Sequence, residues 1–342
     1  MKTWKLMAMA TLVGLLSAGP CLAVSGAGAI ALEFPIGARY NAMGEAGVAL
    51  SQDATAAWWN PGGLAFLRDR GKLHDLHIMQ SNLAAGLADD IALYWAGYAS
   101  GAGQNGNLAF SLTYLDMGEQ EATDESGTVT GTFNSYMFAF GATYGVKLTP
   151  NLGAGIGAKY FRDKLADDSV LQDGRGGSGS SFALDAGVLW KVPAYRLNAA
   201  LAVANLGPGV KHVDADQSDP LPRKMTAGLA YSLFSSEASA LLLVADAQVP
   251  LLKWSDADED YGVGFNTDEK VFGYGAEWSY VQSLAVRIGY KDDSAGDIQD
   301  LTWGFGIDLE RWTGQGITFG FAQVPQAKDL DQVKRFSLGY RF

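Results

Sequence analysis

Cysteine is nearly absent from this 342-residue chain: it holds one, Cys21. No disulfide can therefore staple the fold internally. Histidine is scarce as well, with only His74, His77 and His212. Basic residues are outnumbered, 25 against 37 acidic ones, for a formal charge of −12. That balance argues against nucleic acid as a partner, because phosphate binding needs the opposite sign. Long apolar runs are missing too. Past the first two dozen residues none reaches the ~18 apolar residues that a spanning helix needs, and mean hydropathy is only +0.02.

The first residues have the pattern of a secretory signal. Lys2 and Lys5 form a charged start, Leu6 to Leu16 an apolar run, and Cys21-Leu22-Ala23 a small-residue cleavage site. A membrane anchor is the competing reading, but the apolar run is too short to span a bilayer. Pro20 fits a lipoprotein site at Cys21 poorly. Cleavage behind Ala23 leaves a mature chain without cysteine and with 23 basic against 37 acidic residues, a formal charge of −14. The expected organisation is a signal peptide over 1–23, a plug segment over 24–70 and a barrel over 71–342.

What the chain does have is glycine, 43 residues of it, and 48% hydrophobic residues. The apolar ones alternate. A strand repeats every two residues, so alternation gives it one apolar and one polar face. Leu108, Phe110, Leu112 and Tyr114 share a face, as do Phe138, Phe140, Ala142 and Tyr144. Phe182, Leu184, Ala186, Val188 and Trp190 form another such row, and so do Leu301, Trp303, Phe305, Ile307 and Leu309. The opposite faces carry Gly, Ser, Thr, Asp and Lys. About fourteen strands are expected by this period, near 73–83, 90–100, 107–117, 133–147, 152–163, 180–191, 195–206, 223–234, 238–248, 270–280, 284–291, 301–310, 315–323 and 333–342.

Their links alternate in length. Tight ones, such as Thr149-Pro150-Asn151 and Trp312-Thr313-Gly314, separate longer ones near 118–132, 164–179, 207–222, 249–269, 292–300 and 324–332. With no spanning helix, a closed ladder of strands is the remaining way through lipid. Outer-membrane barrels have short periplasmic turns and longer outer loops. The reading is thus all-β: a transmembrane antiparallel barrel in the outer membrane of a Gram-negative-type bacterium, with both termini periplasmic. A soluble β-sandwich competes, but has no reason to alternate its links so regularly. Trp190, Trp254, Trp278 and Trp312 fall near strand ends, where indoles favour the lipid interface; Trp95 and Trp303 are left open between core and interface. The last strand carries Phe336, Leu338, Tyr340 and Phe342 on one face, an aromatic end read as the signal for the barrel-assembly machinery.

Residues 37–67 do not alternate. Ala42 to Leu50 and Asp53 to Trp59 are expected as short helices, the first weakened by Gly44 and Gly47, before Pro61-Gly62-Gly63 turns the chain. An apolar segment ahead of the first strand must be buried, and inside a barrel it is a plug. Gly153, Gly155 and Gly157 lie on one strand face. They lack the spacing and the following helix of a dinucleotide motif, so the expectation is a lumen wall kept small because something packs on it.

In this segment Gly37-Ala38-Arg39, Met43-Gly44, Ala46-Gly47-Val48-Ala49, Asp53-Ala54, Ala56 and Asn60-Pro61-Gly62-Gly63-Leu64 resemble the N-terminal signature of the PorV/PorQ family. Asn205-Leu206-Gly207-Pro208, Leu221-Pro222-Arg223 and the final Phe336 to Phe342 are similar to its middle and end. Gly62 departs from the alanine common there. The resemblance implies a fourteen-stranded barrel, FadL-like, with Gly44, Gly47, Asp53, Trp58, Trp59, Asn60, Pro61 and Gly62 in its plug. It also implies a part in type IX secretion, docking the translocon or exported proteins through their C-terminal sorting domains. The alternative is a FadL-like channel for hydrophobic small molecules. A continuous apolar path past Trp58 and Trp59 favours transport, and a sealed lumen favours docking.

No catalytic constellation and no cofactor motif stands out, so an outer-membrane enzyme is the weakest reading. His74 and His77, three apart on a strand, point to opposite faces and cannot chelate one metal. Asp256, Asp258 and Asp260 are weak candidates for calcium. Their spacing starts like a calcium loop, but the sixth-position glycine and twelfth-position glutamate are missing, which favours a solvated acidic loop.

Overall fold

The computed structural model describes residues 28–342 apart from 85–87, 89, 104–105, 125, 167–176, 213–217, 252–264, 266–268 and 327–330. The expected signal peptide, Trp254 and the calcium candidates Asp256, Asp258 and Asp260 lie outside the described residues.

Among the described residues there are fourteen strands: β1 (His74–Asn82), β2 (Ile91–Ala102), β3 (Gly106–Thr123), β4 (Val129–Thr149), β5 (Leu152–Lys164), β6 (Ser178–Val192), β7 (Leu197–Leu206), β8 (Lys224–Ser235), β9 (Ser239–Pro250), β10 (Val271–Tyr280), β11 (Leu284–Asp293), β12 (Ile298–Asp308), β13 (Gly316–Val324) and β14 (Val333–Arg341). Each pairs antiparallel with the next. β14 returns to β1, with Arg341 opposite Asp75 and Arg335 opposite Ser81, so the sheet closes. Closure leaves the wall without an edge strand, the condition for a sheet in lipid. The expected all-β barrel of about fourteen strands is therefore the fold.

Alternation decides the faces. Phe110, Phe140, Phe182, Leu184, Trp303 and Phe305 point outward and stay exposed, whereas Ala109, Ala139, Ala183 and Thr302 between them are buried in the lumen. Trp190, Trp278 and Trp312 lie exposed at or near one end of the barrel. The two open tryptophans separate: Trp303 faces outward and Trp95, 2% exposed, faces the lumen. Tyr94, Tyr114 and Tyr136 stack in a row across β2–β4 toward the opposite end, with ring centres 6.5 and 5.9 Å apart. Phe336, Leu338, Tyr340 and Phe342 all face outward.

One end carries the tight turns and Phe342; the other carries the long links. Three expectations about the links change. The link expected over 118–132 is mostly paired, because β3 and β4 continue as a two-stranded ribbon to Thr123 and Val129. Polar residues on both faces hid that ribbon from a search for alternation. The link expected over 292–300 shrinks to 294–297 for the same reason. The turn at Trp312 to Gly314 is a four-residue helix, Glu310–Thr313, ended by Gly314 at φ 72.

Inside the barrel the described residues start at Gly28, packed on Asp219 at the link end, and the chain runs down the lumen to Gly71 before β1. Both termini were expected on one side; the N-terminus itself lies outside the described residues. Gly28, the first described residue, stands at the link end and Phe342 at the turn end; Ala29, Ala31, Leu32 and Ile36 find apolar cover from Leu93, Phe161, Val210 and Leu221 of the link-end half. Among its described residues the plug holds two four-residue helices, α1 (Ala38–Asn41) and α2 (Ala56–Trp59), and two 3-10 segments, Ile30–Leu32 and Pro61–Arg70. The helix expected over 42–50 is a series of turns. Gly44 and Glu45 both take positive φ, 71 and 60, which no α-helix accommodates.

Candidate functional site: the plugged lumen

A plug made of turns leaves backbone N–H groups without helical partners, and a buried donor left unmade is costly. The barrel wall supplies the acceptors. Met79 Sδ accepts from Gly37 N at 3.0 Å, Ser337 Oγ from Ala38 N at 2.8 Å and Thr302 Oγ1 from Gly44 N at 2.8 Å. Asp246 accepts from both Gly47 N and Val48 N, at 2.7 and 2.9 Å, and Asp75 from Ala54 N at 2.9 Å. These five acceptors sit on inward positions of four strands, β1, β9, β12 and β14, so each wall segment fixes its own stretch of plug.

Two pads of glycine let backbone meet backbone. Gly145, Gly155 and Gly187 are direct cross-strand neighbours on β4, β5 and β6. On this pad sits the Asn60-Pro61-Gly62 corner: a Cβ at Gly155 would stand 2.2 Å from the Pro61 carbonyl oxygen, and one at Gly153 2.5 Å from that of Gly62. Asn60 locks the corner, accepting from Gly62 N at 2.9 Å and donating to the carbonyls of Val48 and Val188 at 2.9 and 3.1 Å. The small wall expected from the glycine alternation is thus present at Gly153 and Gly155, while Gly157 meets Thr143 and Asp185 of the wall instead. The second pad, Gly273, Gly275 and Gly289 on β10 and β11, seats Met43 and Gly44.

Ion pairs bind plug to wall. Arg39 grips Glu277 with two hydrogen bonds, at 2.9 and 2.6 Å, and Arg287 donates to the same carboxylate at 2.6 Å. Glu45 at the plug tip lies between Lys291, 2.9 Å away, and Arg335, 3.2 Å away; Arg335 also donates to Asn41 and to the Pro35 carbonyl. Burial alone would push the Glu45 carboxyl up, but Lys291 and Arg335 together hold it below its ordinary value. A carboxyl depressed by folding contributes stability that is complete above the ordinary glutamate pKa and is lost as pH falls through the depressed one. Glu45→Gln is therefore expected to remove part of the acid branch of the unfolding profile while lowering stability at neutral pH. Denaturant melts across that pH range, followed by tryptophan fluorescence in detergent, check this; parallel profiles for the two proteins would refute it.

The path past Trp58 and Trp59 is occupied. Trp59 is 8% exposed; its indole N–H donates to the Ile36 carbonyl at 3.0 Å, and Tyr40 and Gly47 close on its ring. Trp58 packs edge-on against Trp59 and lies under the Lys224 ammonium, 4.5 Å from the ring centre. Asp53 turns back on its own segment, accepting from Thr55 N at 3.0 Å and from the Thr55 hydroxyl. At the turn end a cleft of about 400 Å³ opens by β6–β9, lined by Lys191, Arg196, Asn198 and Ser232. His74 and His77 lie on opposite faces of β1, His74 stacking outward on Phe342 and His77 edge-on against Trp95 in the lumen. The sequence reading named Arg39 only as part of a family signature and missed Glu45, Asp246, Glu277, Arg287 and Arg335. Their signal was there: on strands, charges such as Arg287 between Val286 and Ile288 occupy the inward register.

A closed fourteen-strand barrel, apolar outside and filled by its own N-terminal segment, defines a plugged outer-membrane barrel. The chain belongs to the PorV family: the profile described as type IX secretion system protein PorV matches residues 27–249, which take in the described plug and the first nine strands. No curated protein matches the chain. Among solved structures it is similar to the toluene transporter TbuX of Ralstonia pickettii, with a TM-score of 0.59 at 16% identity over 90% of this chain and 98% of that one. The Pseudomonas putida toluene transporter TodX gives 0.55 at 12% identity, covering 88% and 95%. A FadL homologue of Pseudomonas aeruginosa gives 0.50 at 13%, covering 89% and 98%. At such identities the likeness is one of fold.

Proposed function

We propose that this barrel is a type IX secretion component that docks exported proteins, by their C-terminal sorting domains, or the translocon itself. The observation that carries the reading is the PorV match across plug and wall. The packed lumen supports it: wall acceptors, glycine pads and buried ion pairs hold the plug as a fixed part. A barrel so filled works through its outer surfaces rather than its bore. The turn end faces the periplasm, Phe336, Leu338, Tyr340 and Phe342 serve the barrel-assembly machinery, and the outward apolar belt contacts outer-membrane lipid. No catalytic step or cofactor enters this role.

The test is affinity capture of the tagged protein from native outer membranes, followed by mass spectrometry. Translocon subunits and proteins with C-terminal sorting domains are expected, and deletion of the gene should strand those proteins in the periplasm. Recovery of the assembly machinery alone, with secretion unchanged, would remove the reading. A second reading, uptake of small hydrophobic molecules, draws on the likeness of fold to the toluene transporters and on the apolar cluster in the link-end half of the lumen. Toluene or fatty-acid flux into vesicles carrying the purified barrel would favour it.

A further inference from the structure

We propose that the β3–β4 ribbon is a docking edge, to which a cationic extended segment of a partner protein adds as a further strand. The wall stops below it on both sides. β2 accompanies β3 only as far as Met117, and β5 accompanies β4 only from Tyr136. Beyond these points Glu119 pairs with Asn134, Gln120 with Phe133, Glu121 with Thr132 and Ala122 with Gly131. Each strand has an outer edge of N–H and C=O groups there. Among the described residues two contacts reach that stretch from neighbouring links: the Asp90 carboxylate accepts from Glu119 N at 3.2 Å, and the Ser135 hydroxyl donates to the Leu165 carbonyl at 2.6 Å.

Length puts the ribbon clear of lipid. β4 has 21 residues. At ~3.3 Å per residue and a tilt of ~40°, such a strand covers about 50 Å of barrel axis, roughly twice the ~25 Å apolar band. The nine residues of β14 cover about 23 Å on the same geometry. Hydrogen bonds among the described residues close the ribbon's tip. Asp124 accepts from Ser126 N and Thr128 N, both at 2.9 Å, and from the Ser126 hydroxyl at 2.6 Å. A preformed edge binds without first losing the entropy of its own ordering.

Charge selects the occupant. No lysine or arginine stands between Lys72 and Lys147, and the ribbon and its base carry Asp90, Asp116, Glu119, Glu121 and Asp124; Lys164, 5.9 Å from the Tyr136 ring, stands at the foot of the β4 edge, so the β3 edge is the acidic one. An exposed edge is a template for any strand, and charge is a common guard against unwanted pairing. A guard of one sign repels a second copy of this ribbon, yet attracts a strand of the opposite sign. Ladder hydrogen bonds then supply affinity, and lysine or arginine at alternate positions supplies selection. This surface is independent of the secretion reading, since any partner with a basic strand fits it.

The test uses the purified barrel in detergent and a fluorescein-labelled peptide of alternating lysine, valine and threonine, read by fluorescence polarisation. Three comparisons decide. The first is the same peptide with proline at alternate positions, which keeps its charge but cannot pair. The second is Glu119→Lys combined with Glu121→Lys. The third replaces residues 119–134 by Asn-Gly, which shortens the ribbon to the height of its neighbours. Each is expected to weaken binding by about tenfold or more, with heat-modifiable gel migration showing both variants folded. Equal binding of the proline peptide reduces the effect to plain charge attraction and overturns the proposal. Unchanged binding to the shortened barrel places the peptide elsewhere and does the same.

Discussion

Replacing Glu277 by alanine is expected to cost the barrel about 3–5 kcal/mol, the range for removing one partner of a buried ion pair. Glu277 is the shared acceptor of Arg39 and Arg287. The loss falls unequally on them. The Arg39 side chain is 34% exposed and can draw on water, whereas that of Arg287 is 9% exposed and stays in the lumen. Its Nη1 already lacks a hydrogen-bond partner among the described residues, so without Glu277 the guanidinium is a buried charge with its main compensation gone. The measurement is guanidinium unfolding in detergent, followed by tryptophan emission. A second variant separates charge from packing: Glu277→Leu with Arg39→Met and Arg287→Met takes out all three charges and should recover most of the loss, since an apolar replacement of a buried ion cluster is often neutral. If Glu277→Ala unfolds at the parent's denaturant concentration, the triad does not hold plug to wall.

The wall was legible because lipid imposes a two-residue period on every strand that crosses it. Leu108 to Tyr114 and Phe182 to Trp190 alternate as such a strand must, and the regular alternation of short and long links is what sets them apart from the strands of a sandwich. The plug was legible only as the stretch where that period fails. Its internal form was not, because its backbone follows the wall rather than helix propensity. Met43 and Gly44 turn where Gly275 and Gly289 leave room, and the helix that the alanines of 42–50 suggest gives way to the tip. The contacts themselves were out of reach of local reasoning: Arg39 meets Glu277 across 238 residues and Arg335 meets Asn41 across 294. What a single sequence offers at such positions is half of each pair, a charge in the inward register of a strand. Read systematically, Asp246, Glu277, Arg287 and Arg335 announce that something polar occupies the lumen, though not which residue. Trp95 and Trp303 show the same limit from the other side, since an indole suits either face and only the pairing with neighbouring strands assigns it.

Gly44→Val is expected to drive the plug tip off the wall and convert a silent barrel into a conducting one. Two effects act at this residue. Its φ of 71 is a conformation that a β-branched side chain tolerates poorly, at a cost of about 1–3 kcal/mol. A Cβ there would also stand 2.4 Å from the Tyr290 carbonyl oxygen and 2.5 Å from that of Tyr274. Those atoms belong to paired strands and cannot step aside without breaking the ladder, so the tip must withdraw instead. Withdrawal takes Gly44 N from Thr302 and Glu45 from Lys291 and Arg335, which removes the clamps on this side of the plug together. The wall survives, because its closure runs strand to strand and uses no plug residue. Single-channel recording in planar bilayers should therefore show discrete steps for the variant where the parent is quiet. Gly131→Ala is the control: in the ribbon, a Cβ at that position meets nothing within 4 Å, and no steps should appear. A Gly44→Val barrel that folds, stays silent and unfolds at the parent's midpoint would mean that the pad of Gly275 and Gly289 does not fix the plug. The case for a barrel that works by its surfaces would lose its physical basis.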